Sequence, residues 1–326
     1  MNKSIKRILA VVLSIFMIVS LVGCSSFNPD TFVEDLKDKA QQSVNDAIQD
    51  GANAIKDKVD EMFNGPGGTD TSTTVEDLKI RISVLDVDQG LCVLIESDGK
   101  YMLYDGGDRK TSSYVVSYLK KNGVKELEYM VASHYDSDHI AGLVGVLETT
   151  KVNCVINPSY KATTKIYQSY IDGVNKSGAE VIYPSVGDTF TFGNATFTVL
   201  APAKDYGDAN ENSVAIKITC GEFDCIITGD AEKKSETDML TCGISLDADL
   251  YIVGHHGSSS SSSRAFVEAM SPRYAIISCG KDNDYGHPHQ ETMDLLNEMK
   301  IANYRTDRDG EIYCESDGVG CAFKTK

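Results

Sequence analysis

The stretch SHYDSDHIAG, residues 133–142, sets two histidines and two aspartates within six positions and then turns apolar. The chain has only six histidines in 326 residues, so two of them interleaved with carboxylates need a reason. A solvated acidic turn is one; a metal cage is the other. The other four histidines favour the cage. They lie in VGHHGS (253–258) and YGHPHQ (285–290), each at the end of an apolar, strand-like run or at the start of a helix. Strand ends are where side chains from separate segments converge, and histidines scattered over a surface would show no such bias.

His134, Asp136, Asp138 and His139 offer two imidazoles and two carboxylates, a donor set suited to zinc, manganese or iron. A turn of six residues cannot enclose an ion, so other segments must close the site. His255, His256, Asp105 in MLYDGG and Asp230 in IITGD are the available donors. Alone, Asp230 reads equally well as a helix cap and Asp105 as a turn residue. Together the donors exceed what one tetrahedral ion needs. Two divalent ions sharing Asp230 fit better, and such a pair can activate a water and clamp a phosphoryl oxygen.

The N-terminus reads as an export signal. Lys3, Lys6 and Arg7 precede an almost wholly apolar stretch, Ile8 to Val22, that ends in LVGC. That stretch is shorter than the roughly 20 residues a spanning helix needs. Residues 1–23 are therefore expected to be a signal peptide; a plain secretory peptide or an uncleaved anchor is the alternative. Its removal would take the net charge from −17 to about −20. So acidic a body does not adhere loosely to nucleic acid or anionic lipid, and a polyanionic substrate would need a local feature such as a metal ion. Eight cysteines follow Cys24, an even number that permits disulfides in an exported chain. Cys220 with Cys225, and Cys314 with Cys321, could face each other across hairpins; free thiols on core strands are the alternative.

From Asp30 to Phe63, apolar residues recur in steps of three and four, which predicts one long amphipathic helix. It serves as a solvated stalk, lies on the membrane, pairs with another copy, or packs on the domain behind it. NGPGGTDTSTT (64–74) then reads as a flexible linker. The expected organisation is a signal over 1–23, a lipid anchor and helical stalk over 24–63, a linker over 64–77 and a globular domain over 78–326. Strand-like runs in both halves of that domain, with helices interspersed, predict a layered α/β architecture of sheet against sheet with helices outside.

These motifs resemble the metallo-β-lactamase superfamily and, more narrowly, the hydrolase domain of the competence DNA-uptake protein ComEC and its stand-alone relatives. The counterparts stand in the expected order: LDVDQGL (85–91), YDGG (104–107), HYDSDHIAG (134–142), NENS (210–213), TGD (228–230), HHGS (255–258) and HPH (287–289). LVGC resembles the lipobox of bacterial lipoproteins, with lipid carried on Cys24. The resemblance implies an αββα sandwich with two zinc or manganese ions at one edge. His134, Asp136, Asp138, His139 and Asp230 would be metal ligands, with one of His255 and His256 completing the site. Asp138 would also serve catalysis, Asp105 would orient ligands, and His287 would contact phosphate or protonate a leaving group. Asn212, Ser258 and His289 are expected substrate contacts.

Three departures stand out. No histidine lies between 139 and 255, leaving Asn212 as the candidate substitute for one found in many members. Asp88 replaces a glycine, and Leu91 replaces an aspartate. The six serines from Ser258 read either as a flexible loop or as hydroxyls and N–H groups that receive a phosphate at a helix start. The function implied is a surface-anchored hydrolase that cleaves a phosphodiester, DNA above all, with metal-activated water and with uptake partners encoded elsewhere. A small or cell-wall phosphodiester is the alternative substrate, and a binding lipoprotein with a retired site is the alternative class.

Overall fold

The structure is a computed structural model that describes residues 79–326; the signal, lipidated cysteine, stalk and linker expected from the sequence lie outside the described residues. The chain opens with β1 (Ile80–Val84), β2 (Val93–Ser97) and β3 (Lys100–Tyr104), then α1 (Ser112–Lys121) and β4 (Glu126–Val131). It continues through α2 (Ser137–Thr149), β5 (Lys151–Ile156), α3 (Lys165–Ser177), β6 (Glu180–Ile182), β7 (Thr189–Phe192) and β8 (Ala195–Ala201). Next come β9 (Ala215–Cys220), β10 (Phe223–Ile227), α4 (Lys233–Thr241), β11 (Leu250–Ile252), α5 (Arg264–Met270) and β12 (Tyr274–Ile277). The last elements are α6 (Gln290–Glu298), β13 (Ala302–Arg305), α7 (Thr306–Asp309), β14 (Ile312–Ser316) and β15 (Cys321–Thr325).

Side chains alternate across each strand, so a strand apolar on both faces must be covered twice. In β2, Val93 and Ile95 join one core while Leu94 joins another. That pattern builds four layers. An eight-stranded sheet, in the order β15-β14-β1-β2-β3-β4-β5-β6, faces a seven-stranded sheet, β13-β12-β11-β10-β9-β8-β7. Ile82, Val93, Met102, Phe197, Ile218 and Phe223 fill the space between them. Leu119, Leu143 and Val174 of α1–α3 cover the outer face of the first sheet, and Met239, Phe266 and Leu296 of α4–α6 cover that of the second. The expected αββα sandwich is the observed one. The terminal hairpin returns to the start of the domain, with β14 pairing antiparallel to β1 from Ile80↔Ser316 to Val84↔Ile312.

The expected cross-hairpin disulfides are not formed: all eight described cysteines are free. In the strand register Cys220 opposes Phe223, Cys225 opposes Ile218, Cys314 opposes Phe323 and Cys321 opposes Ser316, so each pair is diagonal rather than directly opposed, and the Cys314 and Cys321 thiols meet as free groups. No helix among the described residues is long and apolar enough to cross a membrane.

The strand ends are locked to α2 by close backbone approach. Gly142 donates its N–H to the Gly107 carbonyl at 2.9 Å. A Cβ on Gly142 would stand 1.7 Å from the Gly106 carbonyl oxygen. Helix propensity alone makes Gly142→Ala stabilising by about 1 kcal/mol. The backbone clash opposes it and is the larger effect, because overpacking against atoms that cannot rotate away costs about 3 kcal/mol or more. The net of about 2 kcal/mol means that Gly142→Ala should lower Tm by about 4–8 °C in a thermal melt; an unchanged or raised Tm would show that α2 is free to move off the loop.

Candidate metal centre

The site gathers at the ends of β3, β4, β10, β11 and β12, and each strand contributes through the turn that follows it. Asp105 follows β3, His134 to His139 bridge β4 and α2, and Asp230 follows β10. Gly229 adopts φ +55 and packs against Ser133, where a Cβ would come within 2.6 Å of the Ser133 Cβ, so the TGD turn tolerates only glycine there. After β11, a short 3-10 turn over Gly254–Gly257 holds His255 at φ 49 and His256 at φ 54. Left-handed backbone at two successive side-chain-bearing residues costs roughly 1–2 kcal/mol each. The turn thereby directs both imidazoles inward.

His134, His139 and His256 are each 3 % exposed or less, and in each the Nδ1 bonds to protein while the Nε2 has no hydrogen-bond partner. His139 donates from Nδ1 to Asp105 Oδ2 at 2.7 Å, and His256 from Nδ1 to the Ser278 carbonyl at 3.0 Å. His134 Nδ1 donates to Ser133 Oγ at 3.0 Å, and that hydroxyl donates to Asp105 Oδ2 at 2.7 Å. The three Nε2 lone pairs therefore face one volume together with Asp230 Oδ1, which is also without a partner. Three orphaned nitrogens around an orphaned carboxylate oxygen are costly unless a cation is held there.

The donor spacings fit a metal. Ligand atoms about 2.0–2.2 Å from a tetrahedral ion lie about 3.4 Å apart. Asp138 Oδ2 is 3.4 Å from His256 Nε2 and 3.8 Å from His139 Nε2, and Asp230 is 3.3 Å from His139 and 3.6 Å from His256. Asp138, His139 and His256 thus form one set, with Asp230 beside it. His134 Nε2 lies 3.7 Å from Asp136 and 3.9 Å from Asp230, and His134, His139 and Asp230 form a second close-set group. The second set has three protein donors, the number that leaves a position open for a reactant. Asp136 occupies the N-cap of α2, yet its carboxylate makes no capping bond and is left to the site.

Burial works against ionisation of Asp230 and Asp138, but the imidazoles outweigh it and hold both carboxyls below the ordinary range. Burial likewise opposes protonation of His139 and His256, and the surrounding aspartates, Asp230 first, reverse that and raise both.

Other expected site residues are placed differently. Asp105 is fully buried and accepts from Ser133 N, Ser133 Oγ and His139 Nδ1, which makes it a positioning residue out of substrate reach. His255 lies at the rim, 3.2 Å from Glu232 and 3.6 Å from Asp230 Oδ2. The Asn212 amide is spent inside its own loop, accepting from Tyr206 N and donating to Asp205, so it does not fill the place of the absent histidine. Ser213 stands there instead, with its hydroxyl 3.4 Å from His134 Nδ1 and accepting from Asp230 N.

The serine run is neither a flexible loop nor a phosphate cradle: Ser258, Ser261 and Ser262 are buried. The buried Glu236 carboxylate accepts the N–H groups of Ser262 and Ser263, occupying the start of α5. Ser258 Oγ bonds Ser260, and both ring nitrogens of His289 are engaged, by Ser259 N and the Tyr285 carbonyl. Neither faces a substrate. His287 does remain at the rim, with Gln89 donating to its Nδ1 at 3.4 Å. Burial, then the neighbouring histidines, push its pKa down to about 4, so it meets a substrate neutral.

A two-sheet sandwich carrying paired histidine–aspartate sets at its strand ends is the architecture of a metal-dependent hydrolase. The family model described as the metallo-beta-lactamase superfamily matches residues 85–281, and the chain belongs to that superfamily. It is 28 % identical over 250 residues to ComE operon protein 3 of Bacillus subtilis, covering 71 % of this chain and 32 % of that protein. It is 30 % identical over 239 residues to Recombination protein 2 of Haemophilus influenzae, covering 71 % and 28 %. The chain thus spans about a third of the length of these relatives. Among solved structures, the metallo-beta-lactamase fold protein YhfI of Bacillus subtilis is 15 % identical, with a TM-score of 0.46 and coverage of 69 % of this chain and 95 % of that one.

Two outcomes test the centre. Asp105→Asn should weaken divalent-metal affinity about 10–100-fold by releasing the His139 ring, with little loss of fold; unchanged affinity by competition with a chelating dye would remove Asp105 from that role. Ligating imidazoles must be neutral, and His139 and His256 hold their protons to raised pH. Affinity should therefore rise with pH and binding should release protons, read by calorimetry in buffers of different ionisation enthalpy. A buffer-independent enthalpy would contradict it.

Proposed function

We propose that the protein is a metal-dependent phosphodiesterase acting on DNA, held outside the cell membrane by lipid on Cys24. The observation that carries the chemistry is the pair of close-set donor groups gathered around His139 and Asp230, with three buried Nε2 atoms and Asp230 Oδ1 left without hydrogen-bond partners. Two divalent ions, zinc or manganese, would supply water activation and charge neutralisation there. Asp138, His139, His256 and Asp230 would hold one ion; His134, Asp136 and Asp230 would hold the other. The protein's own part is positional: Asp105 and Ser278 fix the imidazoles, and His287, kept neutral with Gln89 on Nδ1, presents Nε2–H to a phosphoryl oxygen.

The nucleic-acid substrate is supported by relatives whose names speak of competence and recombination. It is also supported by the one device an acidic protein of net charge −17 has for attracting a polyanion, a local cationic centre. The partnerless nitrogens at 134, 139 and 256 argue against a retired binding site. A small or cell-wall phosphodiester uses the same centre and differs only in what flanks the phosphate.

The purified full-length chain should cleave linear single- or double-stranded DNA with manganese or zinc, and Asp138→Ala should lower the rate by at least 100-fold while the melt stays folded. No cleavage of any DNA by fully metallated protein would remove the DNA assignment and leave the smaller phosphodiesters. Cleavage that survives Asp138→Ala would be contamination.

A further inference from the structure

Tyr285 is 66 % exposed, the most exposed large hydrophobic side chain among the described residues, and it stands beside the metal centre. Its ring stacks on His287, with centroids 5.6 Å apart and planes 21° off parallel. His287 in turn contacts the rings of His255 and His256 at 5.5 and 6.2 Å. Two ring contacts therefore lead from Tyr285 to a metal-ligating imidazole.

The loop that bears it is built rather than loose. Asn283 accepts from the N–H groups of Tyr285 and His287 and donates to the carbonyls of Gly280 and His287. His289 Nδ1 accepts from Ser259 N, so its Nε2 carries the proton and donates to the Tyr285 carbonyl at 3.1 Å. Backbone held this firmly fixes where the ring lies, while one ring face stays in water. An exposed aromatic held in place at a catalytic rim is a stacking platform without its partner.

We propose that Tyr285 receives the nucleobase adjacent to the phosphodiester at the metal centre, which makes unpaired nucleic acid the substrate class. The inference rests on the phosphodiesterase reading above and adds what that reading leaves open. A duplex base is already stacked and cannot lie on the ring, whereas a single-stranded base can. Every base has a π face, so the platform confers little sequence preference. The ring carries no charge, so its contribution comes from stacking and is insensitive to salt.

The test uses the full-length chain carrying Asp138→Asn to block turnover, and single strands with one 2-aminopurine placed at successive positions. Stacking quenches the probe. The expected result is one strongly quenched position, about tenfold weaker binding in Y285A, and retention in Y285F and Y285W. An abasic site at that position should erase the difference between the parent and Y285A. Equal quenching with Y285A overturns the proposal. So does Y285A slowing cleavage of intact and abasic strands alike in the chain with Asp138 intact, which would make the ring a mere support for His287. Cleavage with Tyr285-independent affinity rejects this inference and keeps the nuclease; Tyr285-dependent quenching without cleavage does the reverse. Binding of no strand by the metal-loaded parent chain as well as by the Asp138→Asn chain rejects both.

Discussion

A carboxylate at zero exposure is stable only if its charge is matched, and the whole centre hangs on how Asp105 is matched. Three donors meet it: the Ser133 amide, the Ser133 hydroxyl and His139 Nδ1. Each bond also fixes something else. The amide fixes the start of the loop after β4, the hydroxyl bond leaves Ser133 Oγ to accept from His134, and the imidazole bond sets the His139 tautomer. One buried anion thus aims two metal-facing nitrogens. Its own backbone lies at φ 56, so the strand end is bent to put the carboxylate there. Gly142 matters for the same reason, since it lets α2 approach the loop that carries Asp105.

The departures from the family pattern follow from local space. Asp88 stands where relatives have glycine, and its φ of 60 shows that the turn needs left-handed backbone. Aspartate tolerates that region better than most residues, and Lys110 pairs with it at 2.5 Å. Leu91 is 4 % exposed, packs in the core between the sheets and donates its N–H to the Asp138 carbonyl at 3.2 Å. The absent histidine is not replaced by another ligand. Asp136 keeps that side of the centre anionic, and a site with more oxygen and less nitrogen shifts preference toward harder ions.

Much of this was legible from residue spacing. Strand runs, helix runs and histidine clustering gave the layers and the residues that converge at the strand ends, because burial and clustering of polar side chains both leave periodic or local signatures. Short edge elements left none: Glu180–Ile182 and Ala302–Arg305 are half-exposed, carry no apolar run and pair on one side only. The return of β14 to β1 joins residues over 200 positions apart, a pairing no local pattern encodes. Ser133, Ser213, Ser278, Gln89, Glu232 and Glu236 were missed because serine, glutamine and glutamate are common and have no fixed spacing to the residues they orient. Asn212, Ser258 and His289 were read as substrate contacts from position in a motif, yet their polar atoms are consumed by neighbouring backbone or side chains.

The acidity of the chain restricts how it can hold a polyanion. A basic groove would bind DNA along many phosphates and dwell there. On the proposed function the attractive charge would be confined to the metal pair, with the exposed Tyr285 ring beside it. Recognition of that kind is short in extent: one phosphate at the ions, one base on the ring, and repulsion beyond. It favours loose ends and unpaired stretches, where a nucleotide can enter without dragging a duplex against Asp86, Asp88, Asp108 and Asp136. It also makes affinity depend on metal loading.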